Sequence, residues 1–188
     1  YVEGPTLEPG YESFVGQFPI PMRHGMTIGE LARLFNEHFA IGARLEVVPM
    51  TGWARHMYAD DAGAPWVMPS PNMPTLDTAL VYPGTVLFEG TMVSEGRGTT
   101  RPFELVGAPW VHAERMAATL NARRLPGVHF RPAVFEPTFQ KHARVTCGGC
   151  QIHVTDRTTF QAVLTGVALA EAFHRAGPSA FLWREPPY

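Results

Sequence analysis

Residues 27–50 have the sequence TIGELARLFNEHFAIGARLEVVPM, and this stretch gives the clearest indication of the fold. Thr27 followed three residues later by Glu30 is a capping box, which marks the start of a helix. Apolar residues then recur at helical spacing as far as Gly42, a residue type that often ends helices. Residues 44–50 are rich in apolar side chains and predict a short buried strand. A helix followed by a strand is half of a βαβ crossover, so the stretch favours an α/β fold.

The chain beyond residue 109 shows a different order of predicted elements. Amphipathic and alternating patterns predict, in this order, a helix over residues 112–123, strands over 128–135 and 151–154, and a long helix over 160–175. The core face of the long helix would carry Val163, Val167, Leu169 and Phe173. This α-β-β-α order predicts a small α+β layer, so we place a domain boundary between residues 106 and 107.

Two shorter elements are predicted between these regions. Thr75 is typical of a helix N-cap and predicts a short helix as far as Leu80. Residues 85–89 predict a strand, and a polar, glycine-rich loop follows at residues 90–100. Open α/β sheets bind ligands beyond the carboxyl ends of their strands, so this loop is the first candidate for a functional site.

The composition excludes several classes of protein. The 188 residues are 45% hydrophobic and 17% charged, which is typical of a globular chain rather than a disordered one. The net charge of −2 comes with no basic stripe, so we expect no nucleic-acid partner. No apolar run approaches the roughly 18 residues of a membrane span. Two cysteines exclude a disulfide framework, and no motif indicates a cofactor.

The densest group of reactive side chains lies in residues 89–101, EGTMVSEGRGTTR. Hydrolysis of a glycosidic bond needs one carboxyl group to protonate the leaving oxygen, and a second group to stabilise positive charge at the anomeric carbon. Glu95 is the candidate carboxylate, and Arg97 could hold a substrate carboxylate in a bidentate pair. The alternative is a tight turn whose Glu and Arg side chains pair with each other in solvent. The segment lacks the Gly-Lys-Ser/Thr pattern of a phosphate loop.

Two further polar residues lie where a ligand could reach them. His24 directly precedes the capped helix, where the helix dipole disfavours a protonated imidazole, so a neutral His24 could donate a hydrogen bond to a sugar. Asn72 is flanked by prolines in SPNMPT, residues 70–75, and such rigidity suits the rim of a binding site. The alternative for His24 is a capping or packing histidine. For the turn that carries Asn72, a capping role of Thr75 explains part of the pattern.

His142, Cys147, Cys150 and His153 form an H-x4-C-x2-C-x2-H pattern. These are zinc-ligand types, so a structural metal is one hypothesis for this segment. The pairs lack the long interval of a zinc finger, and a turn at the two intervening glycines explains the pattern without metal. We therefore assign no metal ligand.

Several segments, taken in order, resemble one family. They are VEGP (2–5), PMRHGMTIGE (21–30), SPNMPT (70–75), YPGT (82–85) and EGTMVSEGRGTTRPF (89–103). Together they resemble the exo-β-N-acetylmuramidases, the NamZ-type glycoside hydrolases. The resemblance runs over nearly the whole chain. It implies release of terminal N-acetylmuramic acid from the non-reducing ends of peptidoglycan fragments during cell-wall recycling.

The resemblance also implies how the domains are arranged. We expect an α/β fold in which residues 1–106 form the C-terminal part of a Rossmann-like domain, and residues 107–188 form a smaller α+β domain. Family members are longer, and their acid/base glutamate is expected to precede Tyr1, so these 188 residues need not be active alone. A secreted or periplasmic location is favoured over a cytoplasmic one.

The site residues follow from combining the resemblance with the chemistry of the side chains. Glu95 is the first candidate for catalysis and Glu3 the second. The residues expected to bind a muramic acid unit are His24, Asn72, Arg97, Thr99 and Arg101. The lactyl carboxylate of that sugar would pair with Arg97 or Arg101. The rival hypotheses are a non-catalytic glycan-binding module and a metal-stabilised structural domain.

Overall fold

The computed structural model describes residues 2–185, which form a mixed α/β structure. The chain divides into two compact units, Tyr1–Pro65 and Trp66–Tyr188. The first contains β1 (Glu3–Thr6), β2 (Pro21–Arg23) and α1 (Ile28–His38). The second contains α2 (Leu76–Thr85), a 3₁₀ turn (Val86–Gly90), β3 (Leu105–Ala108), α3 (Ala113–Asn121), β4 (Val128–Phe135), β5 (Cys147–Val154) and α4 (Ala162–Ala176). Within residues 2–185, no helix combines the length and apolarity needed to cross a membrane.

The first unit begins α1 as its sequence predicts. The Glu30 N–H donates to Thr27 Oγ1 at 3.2 Å, and the Thr27 N–H donates to Glu30 Oε2 at 2.8 Å. These two bonds satisfy donors that the first helical turn leaves free, and they confirm the capping box. The helix ends at His38 rather than near Gly42, because the backbone turns to a φ of +51° at Ala40, which a right-handed helix does not allow.

The strand predicted at residues 44–50 is wrong. The segment has no ladder partner in the described part of the first unit, whose β1 and β2 pair antiparallel with each other. Val48 is 84% exposed, so the segment does not bury the apolar residues that suggested a strand. An apolar run becomes a strand only where a neighbouring strand supplies hydrogen bonds.

The first unit has no buried interior among its described residues. No side chain of residues 2–65 is buried, although Phe18, Phe35 and Phe39 stack with ring centroids 4.1–5.6 Å apart. Its apolar groove of about 980 Å³ is lined by residues including Tyr11 and Phe14. The apolar residues of this unit therefore remain largely in contact with solvent.

The second unit has a three-stranded antiparallel sheet in the order β3-β5-β4. Helix α3 packs on β4 and β5, and α4 packs on α2 and α3. Phe88, Phe103, Phe130 and Phe173 fill the core at 1% exposure or less. The predicted α-β-β-α order is confirmed, and β4 has the predicted bounds.

The predicted long helix is confirmed as α4, with one change in its core face. Val163, Leu169 and Phe173 are buried as expected, but Val167 is 54% exposed. The strand β3 was not predicted, and the proposed boundary between residues 106 and 107 lies within it. The division into a Rossmann-like domain and a smaller domain at that boundary stays a prediction.

Residues 85–89 do not form the predicted strand. Thr75 caps α2 as expected, with the Thr78 N–H donating to Thr75 Oγ1 at 3.2 Å, and the helix continues through Pro83 to Thr85. The 3₁₀ turn then follows directly. The apolar residues of this segment are buried at the end of a helix. The sequence pattern alone does not distinguish a short buried helix end from a short buried strand.

Helix α2 crosses α4 at two glycines. A Cβ on Gly84 would lie 1.8 Å from the Ala162 carbonyl oxygen, and a Cβ on Gly166 would lie 2.2 Å from the Gly84 carbonyl oxygen. The two helix backbones therefore touch, which only glycine permits at this crossing. This contact fixes the segment that leads into the candidate loop.

Candidate functional site

The candidate loop, residues 94–101, is attached at its base to β3. Ser94 and Gly107 exchange both backbone hydrogen bonds, at 2.8 and 3.0 Å, and the Phe103 N–H donates to the Glu95 carbonyl at 2.6 Å. Gly96 and Gly98 have φ values of +77° and +82°, a backbone region that favours glycine. The glycines therefore set a fixed loop conformation and do not simply make the chain pliable.

A chain of four charged groups runs through this loop. Arg97 Nε lies 3.2 Å from Glu95 Oε1, and another nitrogen of the same guanidinium binds Glu89 Oε1. Lys141 Nζ lies 2.5 Å from Glu95 Oε2. The Glu95 side chain is only 2% exposed and contacts a cation at each oxygen. Glu95 and Arg97 therefore do pair with each other, as in the alternative interpretation, but the carboxylate is buried and not in solvent.

Lys141 is itself buried beside Glu95. Its Nζ donates to the carbonyl oxygens of Phe88 at 2.6 Å and Thr91 at 3.0 Å. Burial lowers the pKa of Lys141, while the charge of Glu95 acts in the opposite direction. The ammonium thus donates to two carbonyl oxygens and forms an ion pair with one carboxylate, all within residues 88–95.

The segment between β4 and β5, residues 136–146, touches the candidate loop at further points. The Thr138 N–H and hydroxyl each donate to the Gly98 carbonyl at 2.9 Å. His142 Nε2 donates to the Met92 carbonyl at 2.6 Å, which fixes the proton on that nitrogen. The loop is thereby held from the side as well as from its base.

Arg101 is the more accessible of the two predicted guanidiniums. Its side chain is 45% exposed and its NH1 lies 3.4 Å from Glu104 Oε2, while Arg97 is 25% exposed and shared between two glutamates. The hydroxyl of Thr99 donates to the Gly96 carbonyl at 2.6 Å and accepts from the Arg101 N–H at 3.1 Å. The Thr99 hydroxyl therefore makes both of these hydrogen bonds within the loop.

The structure brings together four of the predicted site residues, Glu95, Arg97, Thr99 and Arg101, in one loop of the second unit. Asn72 belongs to the same unit, in the turn before α2. It is half-buried, and its N–H is 3.3 Å from Ser70 Oγ. The Trp66 indole N–H donates to the Met73 carbonyl at 3.1 Å in the same turn. The turn is ordered by local hydrogen bonds, as the prolines suggest.

Glu3 and His24 belong to the first unit. Glu3 Oε1 accepts from Arg23 NH1 at 2.9 Å, across the β1–β2 pair. His24 lines the apolar groove of that unit, and its Nδ1 accepts from the Met26 N–H at 3.0 Å. A neutral His24 consequently carries its proton on Nε2, which leaves one N–H free to donate.

The pattern of histidines and cysteines does not form a metal site. In residues 2–185, no three His, Cys, Asp or Glu side chains are grouped so that they could hold a metal ion. His142 bonds to Met92, and burial raises the pKa of Cys147 to about 11 and that of Cys150 to about 12. Without a metal ion, both thiols therefore stay protonated near neutral pH.

The two glycines between the cysteines lie near the start of β5, so the turn predicted there is wrong. A Cβ on Gly148 would lie 2.0 Å from the Val111 carbonyl oxygen, and one on Gly149 would lie 2.0 Å from that of Val106. Close approach of neighbouring backbone explains both glycines.

Two charged residues near the loop were not identified from the sequence. Lys141 lies 46 positions after Glu95, and no local pattern connects them. Glu104 is 3% exposed and accepts from Thr78 Oγ1 at 2.7 Å and from Thr75 Oγ1 at 3.2 Å. One signal was available for the first: Lys141 is the only lysine in a chain that otherwise uses fourteen arginines as cations.

Comparison with known proteins gives matches along almost the whole chain. Residues 1–77 match the family "Exo-beta-N-acetylmuramidase NamZ, N-terminal", and residues 80–187 match "Exo-beta-N-acetylmuramidase NamZ, C-terminal". The peptidoglycan β-N-acetylmuramidase NamZ of Bacillus subtilis (strain 168) is 55% identical over 181 residues, which are 96% of this chain and 44% of that protein.

Two solved structures from Bacteroides fragilis NCTC 9343, both described as DUF1343 family proteins, have similar folds. One superposes with a TM-score of 0.90 at 34% identity, over 96% of this chain and 48% of its own. The other has a TM-score of 0.64 at 28% identity, over 94% of this chain and 47% of its own. The chain thus spans about half the length of the relatives it matches. The chain belongs to the exo-β-N-acetylmuramidase NamZ family.

Proposed function

We propose that the complete gene product is a glycoside hydrolase that releases terminal N-acetylmuramic acid from the non-reducing ends of peptidoglycan fragments. The observation that carries this proposal is the 55% identity to a peptidoglycan β-N-acetylmuramidase over 96% of the chain. Its partners are then cell-wall glycan fragments, and its place is in cell-wall turnover. A secreted or periplasmic location fits such a substrate.

The substrate differs from other amino sugars by a lactyl carboxylate, so the enzyme needs a cation that can reach it. Arg101 fits this role because its guanidinium is 45% exposed and touches only one glutamate, at 3.4 Å. Arg97 fits it less well, since two of its nitrogens contact Glu95 and Glu89. We therefore assign the lactyl carboxylate to Arg101 and the orientation of the loop to Arg97.

Glu95 remains the first candidate among the carboxylates of this chain, with Glu3 second. A group that transfers a proton to the leaving oxygen must touch that oxygen. The Glu95 side chain is 2% exposed and paired with two cations, which supports a role in holding the loop's shape more than direct proton transfer. Glu3 is paired with Arg23. An acid/base group supplied from outside these 188 residues is consistent with both observations.

The proposed sugar contacts extend beyond the loop. His24 has a free ring nitrogen to donate to a hydroxyl or acetamido oxygen, and the amide of Asn72 is held on a rigid turn. Thr99 contributes through the loop backbone that it fixes. We further propose that residues 1–106 form the C-terminal part of a Rossmann-like domain in the complete gene product. Membership of the family supports this proposal.

The test compares the complete gene product with its Glu95→Gln variant on the disaccharide N-acetylmuramyl-N-acetylglucosamine. The wild type should release free N-acetylmuramic acid. A rate about 100-fold lower in the variant would show that catalysis depends on Glu95, either by proton transfer or by holding the shape of the loop. A variant that keeps its rate would reduce Glu95 to a stabilising residue. Saturable binding without release by the wild type would instead indicate a glycan-binding module.

A further inference from the structure

The only lysine of the chain is buried, which is an unusual place for a lysine. The Lys141 side chain is 7% exposed, whereas lysine is among the residue types least often fully buried. Burying an ammonium is costly unless all its N–H groups find partners. At Lys141 the carbonyls of Phe88 and Thr91 accept two hydrogen bonds, and the carboxylate of Glu95 lies 2.5 Å away and balances the charge.

The geometry around Nζ suits an ammonium and not a guanidinium. Two carbonyl oxygens and one carboxylate oxygen lie 2.5–3.0 Å from the same nitrogen. A lysine ammonium is a compact charge with three donors, while arginine distributes five donors over a wide planar fork. A chain with fourteen arginines thus uses lysine where a point charge is required.

The backbone that carries Lys141 is held in an uncommon conformation. Its neighbours Gln140 and His142 have φ values of +66° and +56°, and Arg144 has +60°. Non-glycine residues with positive φ are uncommon, and they persist where surrounding contacts offset the strain. The contacts that maintain it here are those of Thr138, Lys141 and His142 with residues 88–98.

We propose that Lys141 is the positioning residue of the candidate loop, acting by fixing the Glu95 carboxylate and, through it, Arg97 and the course of residues 94–101. Lys141 does not touch the substrate. It holds one end of the chain Lys141–Glu95–Arg97–Glu89, so that Arg101 is presented from a rigid loop. The functional part of this inference rests on the proposed function, whereas its structural part does not.

The structural part is tested by hydrogen exchange on the 188-residue chain, comparing the wild type with Lys141→Met and Arg144→Met. Arg144 lies in the same segment with an exposed side chain, so its variant is the matched control. In Lys141→Met the amides of Ser94, Gly96 and Phe103 should exchange at least about tenfold faster, while the β4–β5 ladder stays protected. Unchanged loop exchange, or equal acceleration throughout the second unit, would overturn the proposal.

The functional part is tested with the complete gene product, below the melting temperature of each variant. Lys141→Met and Lys141→Arg should both lower kcat/KM by about 10- to 100-fold, because small displacements of positioned groups have such effects. Combined with Glu95→Gln, Lys141→Met should add little further loss, since the two groups act as one unit. Full activity of Lys141→Arg, or additive losses, would contradict the role.

The hydrogen-exchange test and the activity test can fail independently of each other. A wild type that releases no sugar defeats the proposed function but leaves the exchange result valid. Normal kcat and KM in Lys141→Met, with a lowered melting temperature only, would show that Lys141 stabilises the fold without positioning the loop for catalysis.

Discussion

At the scale of single residues, the two arginines of the candidate loop have different surroundings and should respond differently to substitution. Arg101→Met should raise KM for the muramic disaccharide about tenfold or more, because one charge-assisted contact is lost. It should cost less stability than Arg97→Met, because the buried Glu104 keeps its hydrogen bonds from Thr75 and Thr78. Arg97→Met should lower the free energy of unfolding by about 2 kcal/mol, because it leaves the buried Glu95 short of a partner. Steady-state kinetics and denaturant unfolding of both variants measure these effects.

The reverse pattern would reassign the two residues. If Arg97→Met raised KM at unchanged stability while Arg101→Met left KM unaltered, Arg97 would be the carboxylate ligand. The control is Glu114→Gln, because Glu114 is exposed on α3 and does not belong to the candidate loop. We expect this variant to change neither KM nor the free energy of unfolding.

The two cysteines should be unreactive in the folded chain. Burial raises the pKa of Cys147 to about 11 and of Cys150 to about 12, and only the thiolate reacts. At pH 8 a disulfide reagent should modify neither thiol quickly until denaturant is added, when both react. Fast modification of a native thiol would show that β5 is not buried as described.

At the scale of residues, the sequence indicates proximity where the signal is local. Glu95, Arg97, Thr99 and Arg101 stand within seven positions of one another and share one loop, while their role in binding a sugar stays a prediction. Lys141 and Glu104 were missed because burial and pairing of a charge depend on segments that are distant in sequence. For the same reason, the sequence did not indicate that Glu95 is buried, and a pair with arginine in solvent was one of its two interpretations.

At the scale of elements, the crossing of α2 and α4 should not tolerate a methyl group. Gly166→Ala would place a Cβ 2.2 Å from a backbone carbonyl oxygen that has no room to move. We expect the free energy of unfolding to fall by about 2 kcal/mol, despite the better helix propensity of alanine.

Denaturant unfolding of the 188-residue chain measures this effect. Val167→Ala, on the exposed face of the same helix, is the control and should change stability by less than about 0.5 kcal/mol. A Gly166→Ala variant as stable as the wild type would mean that the two helices do not cross in contact.

Helices were predicted better than strands, and the physical reason is the range of the interactions. The cap of α1 by Thr27 and the cap of α2 by Thr75 lie within three residues of their partners. A strand depends on a neighbour elsewhere, so residues 44–50 were assigned a strand wrongly and β3 was overlooked. The paired strand β4 was predictable because its alternation is uninterrupted.

At the scale of the whole molecule, the two compact units should differ in their ability to fold alone. Residues 66–188 contain all the buried hydrophobic side chains described, whereas residues 2–65 bury none. A polypeptide without a buried core gains too little to offset its conformational entropy. Residues 66–188 expressed alone should therefore unfold cooperatively, and residues 1–65 alone should not.

Circular dichroism during urea titration distinguishes the two cases. A cooperative transition in residues 1–65 alone would show that the apolar groove and phenylalanine cluster are sufficient for folding. Absence of a transition in residues 66–188 would show that its sheet and helices need the first unit.

The family could be recognised from the sequence because its motifs occur in one order along the chain, and that recognition carries the central claim. The most direct measurement incubates the complete gene product with two isomeric disaccharides, N-acetylmuramyl-N-acetylglucosamine and N-acetylglucosaminyl-N-acetylmuramic acid. An enzyme that removes non-reducing terminal N-acetylmuramic acid should cleave the first isomer and leave the second intact. Cleavage of the second isomer, or of neither, would contradict the account.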